Sequence, residues 1–229
     1  MKNFMNRIYL WFFGRDFFIK PDVRINYSFF GGKNYGGWPI IEELLEANKH
    51  PVIYSFGVGE DVSFDLELIA KQHVNVYAFD PTFKSISYVD QNVDNDMFIM
   101  HEFGLYSKDG MVNFFEPKDS NNVSHSVYSK GNGYIKVEMK RLKTIMNELE
   151  HASIDVLKMD IEGSEYEVID DMIESEIFPK QLLIEFHHRF KSIKAKKTKK
   201  YIEVLKKNKY QLFYVSSNGT DFGFIYNDK

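Results

Sequence analysis

The stretch Pro51–Asp61, PVIYSFGVGED, constrains the fold of this chain more than any other. Val52–Phe56 is a short apolar run that breaks into Gly57-Val58-Gly59, and Ser63–Lys71 then takes up a helical pattern. Strand, tight glycine turn and helix in that order place backbone N–H groups and a helix N-terminus at the carboxyl end of a buried strand. The answering stretch Asn75–Pro81, NVYAFDP, closes a second buried strand, Val74–Phe79, on Asp80. A carboxylate about 20 residues beyond such a turn is where an open α/β sheet grips the ribose hydroxyls of an adenosine-containing ligand. Ser55, Gly57, Gly59, Glu60, Asp61, Asp80 and Pro81 are therefore the expected cofactor residues of this half. Glu60 and Asp61 either receive a cationic group or cap the following helix.

Taken in order, the rest alternates strand and helix. A helix is expected over Ile40–Asn48 and another over Ser85–Asn92. Met97–Glu102 reads as a third strand, and the turn beyond it puts Gly104 and Leu105 against a base. Met111–Glu116 and Tyr134–Lys140 read as a small β insertion around a long polar loop, Pro117–Gly133, in which Ser124 and His125 are candidate substrate contacts. Ile154–Met159 and Gln181–Phe186 are strands ending in DIEGSE and EFHHR, with helices over Arg141–Leu149 and Glu165–Glu174. Tyr210–Ser216 and Phe222–Tyr226 flank Ser217-Asn218-Gly219-Thr220, a hairpin signal that makes the last strand antiparallel.

This pattern is an α/β seven-stranded, mostly parallel sheet with an antiparallel last strand. A dinucleotide domain usually carries a third glycine three positions after the second, where this chain has Val62. An oxidoreductase also needs a substrate domain, for which 229 residues leave no room. Glycine pair, Asp80 and terminal hairpin together point to S-adenosylmethionine. A small NAD-type oxidoreductase and a non-catalytic scaffold of the same fold are the alternatives.

Six ordered segments carry a family resemblance: YGGW (Tyr35–Trp38), YSFGVGEDVSFDLELI (Tyr54–Ile69), AFDPT (Ala78–Thr82), VSHS (Val123–Ser126), LKMDIEGSEYEVIDD (Leu157–Asp171) and LLIEFHHRF (Leu182–Phe190). Together they resemble FkbM-type methyltransferases. The resemblance runs from about Tyr35 to the C-terminus and implies the Rossmann-like class I methyltransferase fold, S-adenosylmethionine as cofactor and a hydroxyl as acceptor. Similar proteins act in polysaccharide and natural-product pathways, which implies a sugar hydroxyl, on a nucleotide sugar or a surface polysaccharide unit.

A sugar hydroxyl holds its proton tightly at neutral pH, so transfer to it needs a general base or a metal ion. Asp160, which also faces the cofactor, ends one strand; Glu185, His187 and His188 follow the next. Strand alternation puts Glu185 and His187 on one face. Either His187 is the base, oriented by Asp160 or Glu185, or Asp160, Glu185 and His187 hold Mg²⁺ or Mn²⁺. In a third reading Asp160 and Glu162 merely cap the next helix. Substrate contacts are expected from Tyr35, Trp38, Ser124, His125 and His188.

Residues 1–34 form an aromatic, mildly basic arm ahead of a methyltransferase domain over 35–229. The arm is expected to pack on its own domain or on a second copy; the other reading is an interfacial amphipathic segment. Ile8–Phe13 is too short to be a signal segment or to span a bilayer. A net charge of −4 argues against nucleic-acid partners, and the absence of cysteine excludes disulfides and thiolate chemistry and fits a reducing cytoplasm.

Overall fold

The structure, a computed structural model, describes residues 2–32, 36–115, 133–190 and 193–228. In chain order its elements are α1 (Lys2–Phe12), β1 (Ser28–Phe30), β2 (Trp38–Ile40), α2 (Glu42–Glu46), β3 (Ile53–Phe56), α3 (Ser63–Gln72), β4 (Val76–Phe79), α4 (Phe83–Asn92), β5 (Phe98–His101) and β6 (Gly104–Leu105). They continue with β7 (Gly110–Phe115), β8 (Tyr134–Lys140), α5 (Leu142–Glu148), β9 (Val156–Met159), α6 (Glu165–Glu174), β10 (Gln181–Glu185), α7 (Ala195–Lys207), β11 (Tyr210–Val215) and β12 (Asp221–Tyr226).

Seven strands form the central sheet in the order β11-β12-β10-β9-β3-β4-β5. The five strands from β10 to β5 are mutually parallel, and β12 pairs antiparallel with both β10 and β11. This is the seven-stranded, mostly parallel sheet with an antiparallel last strand expected from the alternation of elements and the terminal hairpin, and the Rossmann-like fold that the family resemblance implies. β3 and β9 are buried at every position because helices cover both faces, as parallel sheets require. Alternation sorts their side chains: Tyr54, Phe56, Leu157 and Met159 join one apolar core with α5, α6 and α7. Ile53 and Val156 join the other with α3 and Trp38. The chain order reverses between β3 and β9, so the crevice at their carboxyl ends is where a ligand is expected.

The insertion is a separate three-stranded sheet, β6-β8-β7. One local expectation fails. The helix read over Ile40–Asn48 is a strand through Ile40 and a one-turn helix from Glu42, because residues 28–30 pair with 38–40. The Ile41 amide also donates to the Gln181 side chain at 2.8 Å, and Gln181 donates back to Ile41 O. Those partners are distant in sequence and leave no mark on local periodicity.

The N-terminal segment is anchored by charge. Asp16, wholly buried, accepts from Arg7 Nε and Nη2 at 3.3 Å, from its neighbour's Phe17 amide at 2.6 Å, and from Arg189. Arg7 also donates to Phe17 O at 2.7 Å. Burial opposes ionisation of Asp16, but His188, Arg189, Arg7 and the Phe17 amide together hold its carboxyl well below the usual range. Further on, the Asp22 and Val23 amides donate to Leu212 O, covering part of edge strand β11. No helix among the described residues is long and apolar enough to cross a membrane.

Replacing Asp16 by Asn leaves two guanidinium groups facing an uncharged amide, and should cost about 3 kcal/mol in urea denaturation at neutral pH. A carboxyl depressed on folding contributes fully above its unfolded pKa of about 3.9 and less as pH falls below it. The difference between wild type and D16N should therefore shrink in denaturation curves taken below about pH 4; a constant difference would contradict this assignment.

Candidate functional site

A cleft of about 500 Å³ opens at the carboxyl ends of β3, β4, β9 and β10, a volume in the range of small-molecule sites. Its floor is the turn after β3. Gly57 has φ +81° and Gly59 φ +57°, both in the left-handed region. A Cβ on Gly57 would lie 1.9 Å from the carbonyl oxygen of Asp160, so the turn after β3 and the end of β9 touch backbone to backbone. The Asp160 amide donates to Phe56 O at 3.1 Å and the Gly57 amide to Phe79 O at 3.0 Å, joining three strand ends. Gly59 has nothing within 4 Å of a Cβ position.

Asp80 is tied into the same turn. Its Oδ2 accepts from the Val58 and Gly59 amides at 3.0 and 3.2 Å, and its Oδ1 from the Thr82 amide and hydroxyl at 2.9 and 2.6 Å. The carboxylate so fixes the register of the glycine turn against β4 while lining the cleft. Pro81, Gly104 and Leu105 lie on the cleft wall beside it, where Met139 of β8 packs so closely on Gly104 that a Cβ would meet its sulfur at 2.5 Å. Glu60 lines the rim and pairs with Lys84 at 2.7 Å; Asp61, one residue ahead of the α3 N-cap Val62, accepts from the Ser63 amide at 2.9 Å. Ser55 is wholly buried one position inside β3 and does not reach the cleft.

At the other end stand the acids and histidines. His187 Nδ1 is 2.7 Å from Glu165 Oε1, and Nε2 faces Glu162 at 3.3 Å and Asp160 at 3.6 Å. Asp160, Glu185 and His187 each offer one ligand atom, all within 4.8 Å of one another. Glu162 reaches this group from a left-handed backbone, φ +54°, a strained conformation for a residue with a side chain. Burial disfavours a charged His187, but Glu165 first, then Glu162 and Asp160, hold its imidazole protonated well above the ordinary range. Burial, reinforced by Asp160, pushes the Glu185 carboxyl up to about 9, and burial raises Asp221 as well. Among the described residues, eight carboxylates and one ammonium, Lys158, line the cleft. With Glu165 on the far nitrogen of an imidazole whose near nitrogen faces Glu162 and Asp160, the cluster has an arrangement that could hold a metal ion through His187, with Glu165 as its outer partner.

His188, expected at the substrate, is instead wholly buried on the opposite side of the strand end. Its ring packs 5.3 Å from that of Phe17, and Nε2 stands 3.9 Å from Asp16, too far for a hydrogen bond. Trp38 of β2 lines the cleft, with Phe29 of β1 and with Gly32 and Gly37. Tyr35, Ser124 and His125 lie outside the described residues.

Local reading missed four contributors. Lys158 sits in an apolar strand, LKM, yet its Nζ donates to Gly57 O at 2.8 Å and supports the turn from below. Glu165 looks like a first-turn acid of α6 and is the buried partner of His187. Tyr214 and Asp221 of the terminal hairpin form a wall of the cleft.

The Methyltransferase FkbM domain model matches residues 26–212. A human protein described as "Probable methyltransferase-like protein 24" is 27% identical over 143 residues, covering 61% of this chain. The chain spans about a third of that relative's length, 33%. No solved structure matches significantly. The family match covers most of the chain, which therefore belongs to the FkbM methyltransferase family.

Exchanging Gly57 for Ala forces a Cβ into backbone at a positive φ and should destabilise the protein by about 3 kcal/mol or more. Gly59→Ala meets only the backbone strain, about 1–2 kcal/mol. Equal losses for the two in chemical denaturation would contradict the close approach of the turn to Asp160.

Proposed function

We propose that this FkbM-family methyltransferase uses S-adenosylmethionine to methylate a hydroxyl of a sugar, on a nucleotide sugar or a polysaccharide unit, with a divalent ion at Asp160, Glu185 and His187. The observation that carries the reading is the juxtaposition, in one cleft, of the Gly57–Gly59 turn locked to Asp80 and the acid–histidine cluster at the ends of β9 and β10. The first is a nucleoside cradle. The second stands where an acceptor would meet the cofactor's methyl group.

Two charges support the choice of cofactor. A sulfonium and an ammonium are cations, and among the described residues the charged groups lining the cleft are carboxylates apart from Lys158, a balance that would repel the diphosphate of a dinucleotide. Buried Val62 stands where a dinucleotide turn has its third glycine.

We read the cluster as a metal site rather than a histidine base from its donor set: two carboxylates and one imidazole offer ligand atoms within 4.8 Å of one another, and Glu165 holds the ring's other nitrogen. A metal ion there would displace the proton that the surrounding carboxylates favour on His187. Asp160, Glu185 and Nε2 of His187 would hold Mg²⁺ or Mn²⁺, a ligand set of oxygens with one imidazole. A hard ion there would lower the pKa of a bound hydroxyl. Glu165 fixes Nδ1 of His187 and so aims Nε2 at the site. Glu162 is the nearest further carboxylate and would take the hydroxyl's proton as the methyl group passes from sulfur to oxygen, leaving S-adenosylhomocysteine. Placement of donor and acceptor in line supplies the remainder of the rate.

Titration calorimetry with S-adenosylhomocysteine and NAD side by side tests the cofactor: the sulfur ligand should bind and NAD should not. Asp80→Ala should weaken S-adenosylhomocysteine about tenfold or more, the loss expected of charge-assisted hydrogen bonds. Asp160→Ala and His187→Ala should abolish turnover with affinity for S-adenosylhomocysteine near normal. Chelation should stop an active preparation and Mn²⁺ should restore it; activity indifferent to chelator would overturn the metal assignment alone.

A further inference from the structure

The exposed half of α1 and the face of α7 beside it have no part in the cleft chemistry. On α1, Arg7 points inward to Asp16, and an arc of a little under half the circumference, starting beside Arg7, carries Trp11, Phe4, Phe12, Met5 and Tyr9, with Phe13 just beyond the helix. All six are exposed, Phe12 by 75% and Phe13 by 64%. A contiguous aromatic face of this kind on a surface helix marks an interaction site.

The face continues into positive charge. The Phe4 ring lies 5.9 Å from that of Phe18, and the guanidinium of Arg7 sits over Phe18 at 4.6 Å. Next in sequence is Phe17, and the ammonium of Lys199 lies 5.4 Å from its ring centroid. α7 bears six lysines against one acid, and Lys196, Lys199 and Lys200 are exposed along it. Arg15 and Lys20 of the arm are exposed too. This basic region stands out in a chain of net charge −4 whose cleft is lined by acids.

We propose that α1 and the lysine face of α7 together form a docking surface for an anionic phospholipid bilayer, with the aromatic side chains of α1 lying in the headgroup layer. Aromatic residues of this amphipathic type favour the membrane–water interface, and lysines beside them are attracted by an anionic leaflet. Charge decides between this occupant and a second copy of the chain. A symmetric dimer through this face sets the same lysine-rich surface against itself, whereas an anionic bilayer complements both parts. The helix is far too short to span a bilayer, so it lies on one.

The surface also has a fixed relation to the cleft. Arg15 donates to Arg189 O, two residues beyond His187, and Arg7 donates to Ser217 O of the turn that lines the cleft. Docking through α1 sets that wall of the cleft close to the bilayer. The proposal stands whether or not the cleft uses S-adenosylmethionine.

The test is sedimentation of the full chain with phosphatidylcholine vesicles, with and without phosphatidylglycerol, together with its tryptophan emission. Of the two tryptophans, Trp11 is 49% exposed and Trp38 only 4%, so a blue shift on binding reports α1. The chain should sediment with anionic vesicles, weakly with neutral ones, and less as salt rises. Phe12→Ser with Phe13→Ser, and separately Lys196→Glu with Lys200→Glu, should each reduce anionic-vesicle binding about tenfold or more, since these groups supply the apolar and electrostatic halves. Unchanged near-UV circular dichroism confirms that the variants remain folded. Failure of the wild type to bind anionic vesicles, equal binding to neutral ones, or a wild-type dimer dissolved by Phe12→Ser with Phe13→Ser would each overturn the proposal.

Discussion

The contact on which the rest of the structure depends is the approach of Gly57 to the carbonyl of Asp160. Two parallel strands, β3 and β9, end side by side, and the chain leaves them in opposite directions. Only a residue without Cβ lets the turn after β3 lie on the backbone of the second strand's end, because the nearest atom is 1.9 Å from the Cβ position. Lys158 then caps the Gly57 carbonyl from below and Asp80 takes the next two amides from the side. The turn is thus held by groups from three strands, and its amides and its cleft face are positioned before any ligand arrives. Preorganisation of this kind reduces the ordering that binding must otherwise supply.

The acid–histidine cluster is the opposite case, an arrangement short of positive charge. Asp160, Glu162, Glu185 and Glu165 surround one imidazole, in a cleft whose lining contains a single ammonium among the described residues. Burial, with Asp160 beside it, favours a proton on Glu185, and the surrounding carboxylates favour one on His187. In the proposed function a divalent ion and a cationic cofactor would complete the charge balance that these residues leave open, linking the two ends of the cleft electrostatically as well as by position.

How much of this could be read from the sequence follows from how local each signal is. The glycine turn, Asp80 and the shared face of Glu185 and His187 are local: turn chemistry and strand alternation suffice. The seven-stranded order follows from the succession of elements and a terminal hairpin. Lys158 is masked by its apolar neighbours, and its role depends on a carbonyl more than a hundred residues away. Glu162 joins the cluster only through a left-handed turn that its residue type does not announce. His188 has the composition of a site residue, but strand alternation turns it to the buried side, where Phe17 of the N-terminal segment covers it. β1 and β2 exist through pairing and through Gln181, neither of which leaves a periodic pattern.

The most direct test of the account is a crystal structure grown with S-adenosylhomocysteine and Mn²⁺, with anomalous data collected for manganese. The account predicts the nucleoside against the Gly57–Gly59 turn with its ribose at Asp80, and one anomalous peak among Asp160, Glu185 and His187. A nucleoside bound elsewhere, with the cleft filled by side chains, would contradict it.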